Sequence, residues 1–325
     1  MDFLRSRFRR AVACIFLISI VGLQLTFITN RLSILSNCSA LSFQNVAPDY
    51  PLASTIDFDS SEELLQRLPN ALIIGARKGG TRALLDAMAL HPRIKAARRE
   101  IHFFDHNETF AFGYDWYRDQ MPFSISDDVT VEKTPAYLAS ELAPRRVFAM
   151  NPEMKLIVIL RDPVIRTISD FTQVVLTRME RNKTRPTFES VVFNNDSRTI
   201  NTDYKPIRNS LYAKHLKRWL KYFPLSQFLF LDGDKFITNP IPQLRAVERF
   251  FALPAAIQPD QLVFNPMKGF YCFRKAEKRT ARCLGDSKGR AHVPVSLKSQ
   301  RLLAKNFRFH NDKLFKLINQ RFLWS

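Results

Sequence analysis

Residues Leu68–Asp105 read LPNALIIGARKGGTRALLDAMALHPRIKAARREIHFFD, and this stretch decides the fold. The apolar run Ala71–Ile74 predicts a buried strand, and a loop rich in glycine and basic residues follows it from Gly75 to Arg82. Apolar residues then recur at helical spacing until a proline closes the segment. A strand, a glycine loop and a helix together form a geometry that binds phosphate. Loop N–H groups and the helix N-terminus point at the anion, and glycine lets the backbone approach it.

The order of residues in this loop differs from that of a nucleotide-kinase loop. A Walker A motif places its lysine after the last glycine, whereas Lys78 precedes both glycines here. A lysine at the front of the turn suits the bridging end of a 5′-phosphosulfate better than a γ-phosphate. A generic glycine turn is the alternative, and it does not account for the polar and basic side chains in the same turn. The predicted donor-binding residues of this loop are Lys78, Gly79, Gly80, Thr81 and Arg82.

Two motifs in this order carry a family resemblance. The sequence K-G-G-T-R-A-L-L, followed by E-I-H-F-F-D, resembles the heparan sulfate glucosamine 3-O-sulfotransferases, and the similarity extends from about Leu68 to Trp324. The resemblance implies that 3′-phosphoadenosine-5′-phosphosulfate (PAPS) is the sulfuryl donor and co-substrate. It implies an α/β fold: a single P-loop-like sulfotransferase domain with a central parallel sheet flanked by helices. No metal is required for such chemistry, and the spacing of residues reveals no metal-ligand constellation.

The charge of the chain points to a polyanionic partner. The 325 residues include 49 Lys and Arg against 30 Asp and Glu, a net charge of +19. Nucleic acid, an anionic membrane and a sulfated polysaccharide all fit such an excess. The N-terminal sequence and the family resemblance together favour heparan sulfate chains over nucleic acid.

The N-terminus predicts a membrane anchor. Four arginines precede the uncharged run Ala11–Ile28, whose 18 residues span about 27 Å as a helix. Basic residues on the N-terminal side place that side in the cytoplasm. We therefore expect a type II protein of the Golgi membrane with a cytoplasmic tail at 1–10, a transmembrane signal anchor at 11–28, a lumenal stem at 29–67 and a sulfotransferase domain at 68–325. A cleaved signal peptide is the alternative, although no A-x-A cleavage pattern follows the run.

The cysteines and glycosylation sequons agree with a lumenal domain. Cys272 and Cys283 lie in the main domain, and in a lumenal protein such a pair predicts a disulfide. Two free thiols are the alternative, and a zinc pair lacks a second pair of ligands. N-x-[ST] sequons, each weak evidence alone, occur at four asparagines: Asn37, Asn107, Asn182 and Asn195.

The segment after the first helix carries candidate proton-transfer groups. In an extended chain, Glu100 and His102 point to the same face, and they follow the donor loop closely in sequence. We predict Glu100 as the general base that deprotonates a sugar hydroxyl, with His102 and Asp105 orienting it. A surface pair without function is the alternative for an isolated Glu-x-His. The basic Arg98 and Arg99 and the intervening Ile101 are predicted acceptor contacts.

Strand and helix alternation indicates where further site residues lie. Apolar runs predict strands at Val129–Val131, Lys155–Leu160 and Phe228–Leu231, and such alternation favours a parallel sheet. A short helix is expected at Ser61–Arg67 and a C-terminal amphipathic helix at Gln300–Phe322.

Further residues are assigned by their place at strand ends and by family motifs. Ligands of open α/β sheets bind at the carboxyl ends of strands. Lys133 ends a predicted strand, and it is expected to neutralise the leaving group together with Lys78. The resemblance implies that Arg161 and Ser169 hold the 3′-phosphate of the donor. The remaining predicted acceptor contacts are Lys133, Thr134, Pro135, Ala136, Gln173 and Val174.

A second basic loop lies near the C-terminus. The segment K-G-R-x-H resembles the second donor-binding loop of the family, which implies donor contacts from Lys288, Gly289, Arg290, Ala291 and His292, with Tyr271 near the same ligand. The chain departs from the family pattern at Val293, where proline is common. The basic residues Arg77, Arg98, Arg99, Arg274 and Lys275 are expected to line the cleft for a sulfated chain.

The predicted reaction is sulfuryl transfer from PAPS to the 3-hydroxyl of a glucosamine residue in heparan sulfate. Three alternatives stay open at this point. The first is another PAPS-dependent glycan sulfotransferase, for example one that sulfates nitrogen. The second is a nucleotide kinase, which the missing G-K-[ST] order disfavours. The third is a non-catalytic heparan-sulfate-binding protein on the same scaffold.

Overall fold

The computed structural model describes residues 63–196, 198–285 and 288–324. The predicted tail, the anchor, all but the last residues of the stem, and Asn37 lie outside these ranges. Among the described helices, none combines the length and the apolar character that crossing a lipid bilayer requires.

The described chain alternates strands and helices. The strands are β1 (Leu65–Gln66), β2 (Ala71–Gly75), β3 (Ile94–Ala96), β4 (Phe123–Ser124), β5 (Val129–Lys133), β6 (Lys155–Leu160), β7 (Phe228–Asp232), β8 (Leu262–Asn265) and β9 (Phe270–Phe273). The helices are α1 (Thr81–Met88), α2 (Asn107–Phe110), α3 (Gly113–Arg118), α4 (Ala143–Met150), α5 (Pro163–Glu180), α6 (Phe188–Val192), α7 (Lys205–Ser210), α8 (Tyr212–Trp219), α9 (Gly233–Thr238), α10 (Pro240–Phe250) and α11 (Leu297–Ile318). Short 3₁₀ turns lie at Tyr137–Ala139, Leu225–Gln227 and Pro259–Gln261.

A five-stranded parallel sheet in the order β3-β5-β2-β6-β7 forms the centre of the domain. The central strand β2 pairs with β5 on one side and β6 on the other, and its five residues are all buried. Because all five strands run in one direction, their carboxyl ends lie along one edge of the sheet. The chain leaves β2 for one side of the sheet and later crosses to the other, which makes this edge the expected place for a ligand.

Both faces of the sheet are covered, which explains the continuous apolar runs. Alternate residues of each strand point to opposite faces, so Leu72 and Ile74 join one core cluster while Ala71 and Ile73 join another. The first cluster includes residues of α8 and the C-terminal half of α11. The second packs against α1 and α10. The family-implied architecture of a parallel sheet flanked by helices is therefore confirmed.

Most predicted elements are present with small shifts of their ends, and one is wrong. The four predicted strands appear as β2, β5, β6 and β7, and the C-terminal helix runs from Leu297 to Ile318 instead of from Gln300 to Phe322. The helix expected at Ser61–Arg67 is not formed by its described residues, because Leu65–Gln66 pair antiparallel with Phe123–Ser124 instead. The Gln66 side chain fixes this pairing by donating to the carbonyls of Asp119 and Met121.

The predicted modification sites within the described residues comprise two cysteines and three sequon asparagines. Cys272 and Cys283 are joined by a disulfide beside the antiparallel hairpin β8–β9. Asn107, Asn182 and Asn195 are all exposed. Glycan attachment at these asparagines stays a prediction.

Candidate active site

The loop between β2 and α1 has the close-packed geometry that the sequence predicted. Lys78 and Gly80 both have positive φ, 67° and 105°, and the Gly79 N–H donates to the Ala76 carbonyl at 2.8 Å. A Cβ on Gly79 would lie 2.5 Å from the Ile159 carbonyl oxygen, so a larger residue would push the loop away from β6. No side chain caps α1. The N–H groups at the start of this helix therefore remain available for an anion at the loop.

A buried arginine supports this loop from behind. Arg166 is fully buried, and its guanidinium donates to the Arg77 carbonyl at 3.2 Å and to Asp170 Oδ2 at 2.9 Å. Asp170 also accepts from Arg77 Nε at 3.0 Å. Burial raises the pKa of Asp170, but the charges of Arg166 and Arg77 outweigh it and hold that pKa below its usual range. Sequence reasoning missed this arrangement. Its available signal was an Arg and an Asp four positions apart on the helix that follows β6.

The candidate base is held between a lysine and a histidine. The Lys133 ammonium donates to Glu100 Oε1, and His102 Nε2 lies 3.8 Å from Glu100 Oε2. His102 Nδ1 lies 2.9 Å from Asp105 Oδ2. The hydrogen bond to Asp105 raises the pKa of His102, and the charges of Asp105 and Glu100 act in the same direction although burial opposes them. The imidazole thus lies between two carboxylates, hydrogen-bonded to Asp105 and near Glu100, and its position limits how Glu100 can turn.

The end of β5 fixes the backbone that carries Glu100. Thr134 Oγ1 accepts from the Ile101 N–H at 3.2 Å and donates to Glu132 Oε1 at 2.6 Å. The Phe103 N–H donates to the Tyr137 hydroxyl at 3.0 Å. These contacts stabilise a turn in which His102 has a φ of +56°. Glu132 is fully buried, and this burial raises its pKa to about 7. Sequence reasoning did not assign Glu132 a role.

Lys78, Glu100 and most of the predicted donor residues line one cleft of about 450 Å³. The predicted residues that line it are Lys78, Gly79, Gly80, Thr81, Arg82, Glu100, His102, Pro135, Ala136, Arg161, Ser169, Gln173, Lys288, Gly289, Arg290 and His292, together with Arg77. Residues that sequence reasoning did not assign to the cleft also line it: Ala83, Thr172, Leu176, Ile237, Lys268, Gly269, Phe270 and Leu284.

The cleft wall on α5 follows helical spacing. Ser169, Thr172, Gln173 and Leu176 repeat at i, i+3, i+4 and i+7 and therefore share a face. The predicted contact Val174 is off this face and does not line the cleft. Thr172 Oγ1 accepts from the Val293 N–H at 3.1 Å, and Gln173 Oε1 accepts from Arg290 at 3.1 Å, so this face also holds the second basic loop.

Several residues that were predicted to belong to the site do not line the cleft. Phe270 lines the cleft instead of Tyr271, because neighbours on strand β9 point to opposite faces. The Lys133 ammonium contacts Glu100 and does not line the cleft, and Thr134 is buried beneath Ile101. The remaining predicted residues that do not line the cleft are Arg98, Arg99, Ile101, Asp105, Arg274, Lys275 and Ala291.

Positive charge dominates the cleft. Of the described residues that line it, Glu100 is the only acid, whereas six Arg and Lys side chains besides Lys78 reach it: Arg77, Arg82, Arg161, Lys268, Lys288 and Arg290. Burial, reinforced by the charge of Arg77, lowers the pKa of Lys78 to about 8. Cations held this close together favour a ligand with several negative charges.

Comparison with known proteins agrees with this geometry. The family described as "Sulfotransferase domain" matches residues 68–302. The chain is 45% identical over 262 residues to human heparan sulfate glucosamine 3-O-sulfotransferase 5, a match that covers 81% of this chain and 75% of the relative. The chain belongs to the heparan sulfate glucosamine 3-O-sulfotransferase family.

Other members of this family and one solved structure extend the comparison. Human heparan sulfate glucosamine 3-O-sulfotransferase 3B1 is 40% identical over 280 residues, covering 86% of this chain and 70% of the relative. A sulfotransferase from Alicyclobacillus acidocaldarius has a TM-score of 0.58 at 18% identity, covering 79% of this chain and 98% of that one. This last likeness shows the shared fold.

The lowered pKa of Lys78 predicts a pH-dependent affinity for an anion. Because Lys78 loses its proton as the pH rises through about 8, we expect binding of 3′,5′-bisphosphoadenosine to weaken between pH 7 and pH 9, by up to about tenfold per pH unit. The Lys78→Arg variant keeps its charge over this range and should show a flatter profile. Isothermal titration calorimetry at several pH values measures both. Equal slopes for the two proteins would contradict the assignment.

The buried Glu132 predicts a pH-dependent stability. Its folded pKa of about 7 lies above the ordinary value of 4.5, so the folded protein holds a proton that the unfolded chain has released between these values. The free energy of unfolding should therefore fall as the pH rises from 5 to 8, by no more than a few kcal/mol from this group. Glu132→Gln should lessen that fall, and the exposed control Glu153→Gln should not. Denaturant unfolding at both pH values tests this, and equal pH dependence in all three proteins would refute it.

Proposed function

We propose that this protein transfers the sulfuryl group of PAPS to the 3-hydroxyl of glucosamine residues in heparan sulfate. The observation that carries the proposal is the shared cleft of Lys78 and Glu100, with the donor loop on one wall and one acidic side chain among its described lining residues. Relatives named for this activity are 40–46% identical over most of the chain.

The residues of the cleft fit PAPS, which supplies an activated sulfuryl group on its 5′-phosphate. Lys78, the N–H groups of the glycine loop and the start of α1 suit the 5′ end of such a donor. Arg161 and Ser169, at the carboxyl end of β6 and on α5, suit the 3′-phosphate. Arg161 is oriented by Asp234, which accepts from its Nε at 2.8 Å. Lys288 and Arg290 add positive charge from the second basic loop.

In the proposed reaction, Glu100 removes the proton of the attacking hydroxyl. In the transfer, the sugar oxygen forms a bond to sulfur while the bond from sulfur to the 5′-phosphate oxygen breaks, and the proton goes to the Glu100 carboxylate. Lys78 stabilises the negative charge that grows on the departing oxygen. General-base assistance of this kind contributes roughly 10²–10⁴-fold.

Lys133 and His102 position the base. The Lys133 ammonium contacts Oε1 of Glu100 and His102 approaches Oε2, so the carboxylate has few orientations. This differs from the expectation that Lys133 neutralises the leaving group, since its side chain is buried and directed at Glu100. Asp105 in turn holds His102 through Nδ1.

The alternatives are less well supported. A nucleotide kinase would carry a lysine after the second glycine, and that position holds Thr81. A heparan-sulfate-binding protein without activity would not need Lys133 and His102 to hold the Glu100 carboxylate in a fixed orientation. Sulfation at nitrogen or at another hydroxyl is distinguished by disaccharide analysis of the product.

Replacement of the base tests the mechanism. Glu100→Gln keeps the size of the side chain but cannot accept the proton, so we expect transfer of ³⁵S from labelled PAPS to heparan sulfate to fall at least ~10²-fold. Affinity for 3′,5′-bisphosphoadenosine should change little. The matched control is Glu108→Gln, an exposed glutamate in α2, and it should keep full activity. A Glu100→Gln variant as active as the control would refute the base assignment.

We also propose a single-pass type II arrangement in the Golgi membrane, with the sulfotransferase domain in the lumen. The basic N-terminus before Ala11–Ile28, the disulfide Cys272–Cys283 and the exposed sequons support it. Full-length protein in microsomes should resist added protease apart from its short tail, and it should shift in mass after endoglycosidase treatment. Digestion of the sulfotransferase domain in intact microsomes would contradict this topology.

A further inference from the structure

We propose that His102, Asp105 and His106 form a binding site for a divalent transition-metal ion, with zinc as the expected occupant, and that the bound ion inhibits sulfuryl transfer. The site itself follows from the arrangement of these side chains. Its inhibitory effect rests on the function proposed above.

The three side chains are already close together. One potential ligand atom from each residue lies within 4.8 Å of the other two. His102 Nδ1 lies 2.9 Å and His106 Nε2 lies 3.8 Å from the same oxygen, Asp105 Oδ2. The two imidazole rings stack with centroids 4.8 Å apart and planes 10° apart. Zinc–ligand distances are about 2.0–2.2 Å, so small side-chain rotations around a central ion are enough to form the bonds.

The kinds of ligand atom at this site determine which ion it prefers. Two imidazoles and one carboxylate are the ligands of zinc sites that keep a position open for water. Magnesium and calcium prefer an all-oxygen set, which these residues do not offer. Asp105 and Glu100 provide negative charge on both sides of His102, although the protein as a whole is basic.

The burial of Asp105 gives an independent indication that a cation binds here. Its side chain is 9% exposed, and its Oδ1 is buried without a hydrogen-bond partner among the described residues. A buried carboxylate oxygen left unpaired is costly, and a cation at this place would satisfy it. The other oxygen, Oδ2, is the atom that both histidines approach.

A second cavity gives access to the site. Its volume is about 400 Å³, and His102, Asp105 and His106 all line it. Arg77, His102, Pro135 and Ala136 line this cavity and the cleft alike, so His102 lies where the two meet. An ion can thus arrive from the second cavity without passing the donor loop.

An ion at this place would act on the base through His102. Coordination through Nδ1 leaves the ring proton on Nε2, the atom that lies 3.8 Å from Glu100 Oε2. A hydrogen bond from Nε2 to Glu100 then occupies the carboxylate oxygen that would otherwise accept the sugar proton. We therefore expect zinc to lower turnover while leaving donor affinity unchanged.

The spacing of these three residues in the sequence did not indicate a metal site. The residues lie at i, i+3 and i+4, but in a turn with positive φ at His102 and not within a helix. The exposed His106 belongs to no part of the proposed transfer machinery, so it can be replaced without touching the base or the donor loop.

Zinc binding to the full-length protein tests the site directly. Competition with a chromophoric zinc chelator should show one Zn²⁺ bound by the wild type and an affinity at least about tenfold weaker in His106→Gln. The control His310→Gln, a histidine on α11, should bind zinc as the wild type does. Equal zinc affinity in the wild type and His106→Gln, or an equal loss in His310→Gln, would overturn the site.

Sulfuryl transfer measured with and without zinc tests its effect. His106→Gln should match the wild type in the absence of zinc and should resist zinc concentrations that inhibit the wild type. Inhibition that is the same in both proteins would overturn the coupling to Glu100. The binding measurement does not depend on turnover, so failure of the proposed function and failure of the metal site are distinguishable.

Discussion

The contact between the end of β5 and the turn at Ile101–Phe103 is the constraint on which the rest of the site depends. Thr134 and Tyr137 accept hydrogen bonds from the N–H groups of this turn, and buried Glu132 holds Thr134. Strand β5 pairs in parallel with β2, so its end lies beside the loop that carries Lys78. The base and the donor loop therefore reach the same cleft because two neighbouring strands end at the same edge.

The donor side and the acceptor side of the cleft differ in charge. Basic residues from four separate parts of the chain line the cleft, and burial, reinforced by the charge of Arg77, lowers the pKa of Lys78. On the acceptor side, Glu100 is held by Lys133, and His102 lies between Glu100 and Asp105. A donor with several negative charges balances the positive charge of the basic residues. Lys133 and His102 hold Glu100 so that one oxygen of its carboxylate can accept a proton.

The sequence predicted those features that arise from local pattern. Apolar runs marked the central strands, and the glycine loop marked the donor site, because both signals lie within a few consecutive residues. The contact of Lys133 with Glu100 and the burial of Arg166 could not be predicted, since each depends on which strands and helices become neighbours. The choice between Phe270 and Tyr271 depended on the register of β9, which a short strand does not reveal.

In the proposed reaction, the donor loop presents a sulfuryl group to a hydroxyl beside Glu100. A crystal structure with 3′,5′-bisphosphoadenosine and a heparan sulfate oligosaccharide tests this arrangement. The 5′-phosphate should contact Lys78 and the N–H groups of Gly79–Thr81, and a glucosamine 3-hydroxyl should lie within hydrogen-bonding distance of Glu100. A 5′-phosphate bound away from this loop, or another sugar group beside Glu100, would contradict this arrangement.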